Sequence, residues 1–424
     1  MNFLKTTFFS GVITVVRVLS GFVANKVVAI YTGPTGIALI GSFTNFISIT
    51  LAFANGAINS GIVKYSSEYL NDDSKTKDLL NTALKISLFC SFFVGLIITL
   101  FSKSISILLF KSDNFSTIIV LFGLTIFLYS LNILLLSILN GRGEIKKYTL
   151  INTLGSIFSL LITLILVYYY NIQGAMAALF LSQTSVFFIA FYFCRKSTWY
   201  NFIDIKSGIS NEILKKLSHY SIMAIVSAIL VPLSQMIIRE YIITTQSINA
   251  AGLWQGILRI SDAYLMIITT SLSVYYLPKL ASLKTRIEIQ KEILKVYKYL
   301  VPFLILSSII MYYFRSNIVN ILFSVEFKEM KNILPFQLLG DSFKMISWVL
   351  AYLLIAKSWI KKFILLEIFF NVFLVSLTIL LIKYNGLIGT TFAYILNYII
   401  YTFVLLLIIS KSLNKLEVND ENNF

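Results

Sequence analysis

The sequence predicts an all-α polytopic membrane protein, with twelve transmembrane helices in two pseudo-symmetric six-helix lobes around a central cavity. Composition is the first reason. Of 424 residues, 58% are hydrophobic and 13% charged, where a soluble domain carries about 25% charged residues. Mean hydropathy is +0.84. Second, apolar stretches of about 20 residues, long enough to cross a bilayer, recur along the whole chain. Third, the chain repeats itself at an offset near half its length. AIYTGPTGIALIGSF (29–43) is similar to the run around NAAGLWQGI (249–257), with Gly36 against Gly252. Lys146-Lys147 of GEIKKYTL matches Lys361-Lys362 of SWIKKFIL, and ILLF (107–110) matches NILF (320–323). Six helices per half give both halves one orientation, so the expected symmetry axis runs along the membrane normal.

The expected spans lie near 6–32, 36–63, 80–102, 116–140, 147–170, 174–194, 216–244, 250–277, 296–314, 332–356, 361–382 and 386–410. The first is long and holds Arg17, so it reads as a retained helix rather than a signal peptide. Lysine and arginine set the orientation. Of the 35 in the chain, 24 fall in the alternate connections that include the N-terminus, six in the opposite set, and five within or at the rim of spans. That bias places both termini in the cytoplasm. It also accounts for the +16 net charge through topology, without nucleic acid. Between the sixth and seventh spans runs RKSTWYNFIDIKSGISNEILKK (195–216), a basic linker. It predicts an N-terminal lobe of 1–205 and a C-terminal lobe of 206–424. Its ISNEILKKL portion reads as an amphipathic surface helix capped by Ser210 or Asn211. LKTRIEIQKEILKVYKYL, after the eighth span, reads as another. Cys90 and Cys194 lie in apolar spans and are expected as free thiols.

No catalytic constellation is present: no Walker lysine loop, no metal-ligand spacing, and no external loop large enough for a glycan-processing pocket. No metal or organic cofactor is expected. Charge inside the spans is the unusual feature, because a charge at mid-bilayer costs roughly 2.5–3.5 kcal/mol on insertion scales. The first span carries Arg17 and, nine positions on, Lys26. The seventh carries Pro232, a hinge candidate because proline removes a backbone hydrogen bond, and then Arg239 and Glu240. The eighth carries Arg259 and Asp262, and the tenth Asp341 and Lys344. Each of these last two pairs is three apart, on one helix face, where partners can offset each other. The eleventh carries Glu367. Five cations stand against four carboxylates, which suits an anionic ligand better than a cationic one. Trp254, Gln255, Trp348 and Asn59 add groups able to contact a glycan, although helix packing alone accounts for many such residues.

Four segments carry a family resemblance: GPTGIALIGSF, NSGIVKYSSEY, AAGLWQGILRISDAYL with SVYYLPKLASL, and LGDSFKMISWVLAYLLIAKSWIKKFILLE. They resemble Wzx-type polysaccharide flippases of the polysaccharide-transport branch of the MOP exporter superfamily, of the enterobacterial common antigen and O-antigen kind. The resemblance implies a bacterial inner-membrane protein of two six-helix lobes. It implies that an undecaprenyl-diphosphate-linked oligosaccharide moves from the cytoplasmic to the periplasmic leaflet by alternating access. It also implies a cationic cavity, whose matching positions here are Arg17, Lys26, Arg259 and Lys344. Membrane lipids and other polysaccharide assembly proteins are the implied partners.

Asp262, Asp341, Arg239 and Glu240 then stand as coupling or ion-pair residues, with a proton, sodium or the membrane potential as driving force. Two rivals stay open. A multidrug or cation antiporter of the same superfamily would want an uncompensated carboxylate. An O-antigen polymerase or ligase would want a large external domain.

Overall fold

The computed structural model describes residues 3–204, 207–283 and 285–421. Fourteen α-helices follow one another: α1 (Phe3–Ala54), α2 (Asn59–Glu68), α3 (Asp73–Leu100), α4 (Ser102–Phe110), α5 (Ser116–Gly141), α6 (Ile145–Cys194), α7 (Asn211–Thr245), α8 (Ile248–Ser271), α9 (Leu277–Ser282), α10 (Arg286–Tyr313), α11 (Arg315–Leu322), α12 (Met330–Ala356), α13 (Ile360–Asn385) and α14 (Ile388–Glu421). Two of them are broken. α1 kinks at Gly33 (φ 59°, ψ −168°), next to Pro34. Proline disfavours helical backbone in the residue before it, and that corner of φ/ψ space is open essentially to glycine alone. α6 kinks at Asn171 (φ 46°, ψ −124°). With both resolved into their arms, the described chain has twelve long helices that match the twelve expected spans, plus short α2, α4, α9 and α11.

Nine helices among the described residues are long and apolar enough to cross a membrane, two of them being the kinked ones. The protein is a multi-pass membrane protein. α8 is not among the nine: Arg259, Asp262 and the polar groups around them dilute its hydropathy. Both cysteines are free.

The chain forms two compact units, Met1–Leu233 and Ser234–Phe424, and the division falls inside α7, one residue past Pro232. In the first unit α6 packs on α1 and α5, and α3 on α5. A core of Ile62, Leu79, Leu139, Ile151 and Trp199 forms near one end. In the second unit α12 packs on α14, α10 and α8, around Leu265, Met345, Val349 and Leu405.

The duplication is visible element by element. α3 and α10 begin at Asp73 and Arg286, 213 residues apart, and α6 and α13 begin at Ile145 and Ile360, 215 apart. The turns before the latter two hold left-handed Gly143 (φ 70°) and Ser358 (φ 55°), again 215 apart. Asn171 is matched by Gly386 (φ 58°). Each unit also carries the same fastening: Lys147 Nζ donates to Ser197 Oγ at 2.6 Å, and Lys362 Nζ to Ser412 Oγ at 2.7 Å.

Two expectations are corrected. The second span stops at Ala54 rather than 63, because Gly56 and Ala57 take positive φ (59° and 51°) and the chain restarts as α2. The two basic amphipathic segments are not separate surface helices. The first is the opening of α7, where Ser210 accepts from Ile213 N, and it buries Ile213 and Leu217 in the first unit's core. The second opens α10 behind a Thr285–Glu288 capping box and buries Ile289 and Ile293. Each helix runs on from the segment into the span, α10 even through Pro302.

Candidate functional site

Each unit has a polar interior, and the two differ in charge. In the first, α1, α5 and α6 line a half-open cavity of about 380 Å³. Arg17 lines it, together with Tyr129 and Asn132 of α5 and Asn152, Ser156 and Gln183 of α6. Arg17 is exposed, and its charge acts on Tyr129. The amides are tied to each other and to backbone: Asn132 Nδ2 donates to Gln183 Oε1 at 3.4 Å, and Asn152 Nδ2 to Tyr148 O at 2.8 Å. Lys26 and Asn59 are not among the lining residues. Lys26 is half-buried further along α1, and Asn59 is the first residue of α2.

In the second unit the centre is Asp341, which is fully buried. Its carboxylate accepts from Ser261 Oγ (2.6 Å) and Tyr264 Oη (2.8 Å) of α8, Gln337 Nε2 (3.1 Å) of α12 and Tyr394 Oη (3.1 Å) of α14. Four neutral donors from three helices therefore satisfy it. The expected ion pair with Lys344 is not formed. The Lys344 ammonium lies over aromatic faces instead, 5.3 Å from the Trp348 ring centre and 5.8 Å from that of Tyr394. A cation over a ring face is held by the ring quadrupole, and the charges of Asp262, Asp341 and Glu367 act on this one from beyond contact. Asp262 is exposed, and the charge of Lys344 acts on it more strongly than that of Arg259. Tyr401 Oη donates to Glu367 at 3.4 Å. Arg239 is 1% exposed; it donates to Gln255 Oε1 and lies 5.6 Å from the centre of the Trp254 ring. Trp254 and Gln255 thus hold Arg239 in this structure. Arg259 and Glu240 are half-buried.

The residues that sequence reasoning missed are the donors around Asp341 and the tyrosines Tyr394, Tyr398 and Tyr401. A signal existed: the three tyrosines recur at helical spacing within one apolar span, and Ser261 and Tyr264 flank Asp262.

The family described as "Polysaccharide biosynthesis protein" matches residues 33–332. The chain belongs to that family. Among curated proteins it is similar to the Lipid III flippases of Escherichia coli (strain K12) and Shigella flexneri, each 27% identical over 401 residues, covering 95% of this chain and 96% of the relative. Among solved structures it is similar to the inward-facing conformation of a multidrug resistance MATE family transporter of the MOP superfamily, with a TM-score of 0.81 and 16% identity over 95% of each chain. It is also similar to a MOP superfamily transporter from Pyrococcus furiosus described by the reverse polarity of its binding pocket, with a TM-score of 0.67 and 16% identity over 96% of each chain. At that identity the structures establish the fold. This polysaccharide biosynthesis family member therefore has the fold of those transporters, and the Wzx-type resemblance in its sequence holds.

Proposed function

We propose that the protein is a flippase that carries an undecaprenyl-diphosphate-linked oligosaccharide of the O-antigen or common-antigen type from the cytoplasmic to the periplasmic leaflet of the inner membrane. The similarity to Lipid III flippases over 95% of the chain carries this reading. The polar interiors support it physically. Arg17, Lys26, Arg259 and Lys344 are cations within spans, and Lys344 lies over aromatic faces rather than in direct contact with a carboxylate. Such groups attract a diphosphate. The cargo carries about two negative charges, and each is worth about 2.3 kcal/mol per 100 mV of membrane potential, so outward movement is downhill with the inside negative. Binding and shielding of the headgroup are then the protein's task, with Pro232 in α7 and the Gly33 kink in α1 as places where helices bend.

Asp341 supports a coupling role. Its direct hydrogen bonds all come from neutral donors, and the charge of Lys344 acts on it without an ion-pair contact. Within the flippase reading it takes a proton or sodium ion during the cycle. Complementation tests the proposal: the chain is expressed in a strain lacking its flippase, and surface glycan is scored. Restored glycan supports it. Restored drug resistance without glycan would move the protein to the antiporter class.

A further inference from the structure

The cavity of the first unit has a chemistry that differs from its counterpart by repeat in the second. Tyr129, Asn152 and Gln183 line it. Residues 215 positions later are Lys344, Glu367 and Tyr398, and there the charges of Lys344 and Glu367 act on the Tyr398 phenol. The same three places are therefore polar in both halves. In the first half all three are uncharged.

Amides and hydroxyls both donate and accept, which is what the hydroxyls of a sugar require. Asn132 is 1% exposed, and its buried Oδ1 has no hydrogen-bond donor in the structure, a costly arrangement that a turn of the amide toward a ligand hydroxyl would relieve. The space is real on the α1 side as well: a Cβ added to Gly21 would meet no atom within 4 Å. At about 380 Å³ the cavity lies at the small end of ligand pockets, which span about 300–1,000 Å³. It suits a sugar residue and not a whole oligosaccharide. Arg17 stands on the same wall as Gly21, so the one cation of the lining is adjacent to the neutral groups.

We propose that this cavity seats the uncharged pyranose attached directly to the diphosphate, with Asn132, Asn152 and Gln183 bonding its hydroxyls and Arg17 beside them on the phosphate side. The assignment rests on the flippase reading and deepens it: recognition of the first sugar is placed in α1, α5 and α6.

Two probes separate this assignment from the reading beneath it: farnesyl diphosphate, and the same lipid carrying a single N-acetylglucosamine on its diphosphate. Binding of each to the purified full chain in detergent is measured by calorimetry. The native protein is expected to bind the glycosylated lipid at least about tenfold more tightly, as sites built to bond a hydroxyl do. Gln183→Leu should erase that difference and leave binding of the bare lipid unchanged. Gly21→Leu should do the same by filling the space without removing any polar group. Because leucine favours a helix over glycine, its melting temperature should not fall. If both variants keep the preference, or weaken both lipids alike, the sugar site is overturned while the flippase reading stands. If the native chain binds neither lipid, the flippase reading falls and the sugar site with it.

Discussion

Ser261 of α8 and Asp341 of α12 are 80 residues apart in sequence and 2.6 Å apart in space. This bond and those from Tyr264 and Tyr394 join three helices through a single buried carboxylate. Asp341→Ala leaves those hydroxyls without their acceptor, so it should destabilise the protein by about 1–3 kcal/mol, read as a lower melting temperature in detergent. Asp341→Asn keeps the shape and should cost less. If Asp341 also takes up an ion during transport, Asn should abolish surface glycan at normal protein levels. Full activity of the Asn variant would reduce Asp341 to a structural role.

Arg17→Ala and Arg259→Ala should each abolish complementation at normal expression, and Arg259→Lys should retain part of it, because a lysine keeps the charge but loses the guanidinium fork. Lys344→Met removes charge while keeping a long apolar chain against Trp348 and Tyr394, so it should fold and fail to transport. Full transport by these variants would show the cations to be scaffolding.

Glu144 predicts a pH effect outside the spans. Burial pushes its carboxyl up, but hydrogen bonds from Lys147, Ser197 and Trp199 outweigh this and hold it below the ordinary 4.5. The folded form therefore prefers the charged carboxylate. Its contribution is complete above about 4.5 and is lost as pH falls through the lowered value. The melting-temperature gap between the native protein and Glu144→Gln should be constant from pH 7 to 5 and narrow below about 4.5. A gap that widens in acid would reverse the sign.

Asn171, at the kink of α6, and Gly386, in the turn between α13 and α14, both take positive φ, 46° and 58°. Gly386→Ala should destabilise by about 1–3 kcal/mol, the usual cost of a non-glycine residue in that region. Asn171→Gly should relieve a similar strain, offset by up to about 1 kcal/mol of added unfolded-chain entropy. Opposite shifts in melting temperature are expected, and equal signs would refute the equivalence.

The long helices could be read directly, since length and apolarity suffice for a span. The Gly33-Pro34 kink could be read too. The Asn55-Gly56 turn was equally present in the letters, but apolar residues on both sides masked it. Asp341 and Lys344 show where reading stops. Their spacing of three places them on one helix face, yet the side chains part: the carboxylate goes to hydroxyls 77 and 53 residues away, on α8 and α14, and the ammonium to aromatic rings. Periodicity gives a direction around one helix and is silent on which neighbour meets it. Arg239 is the same case, since its partners Gln255 and Trp254 come from the next helix.

The paired fastenings Lys147–Ser197 and Lys362–Ser412 have an evolutionary consequence. An ancestral gene that doubled would hand each copy the same fastening. With that fastening in place, the uncharged lining of one copy is, on the sugar-site proposal, free to vary with the carbohydrate it meets. On that proposal, a change of cargo need touch only a handful of positions in one half.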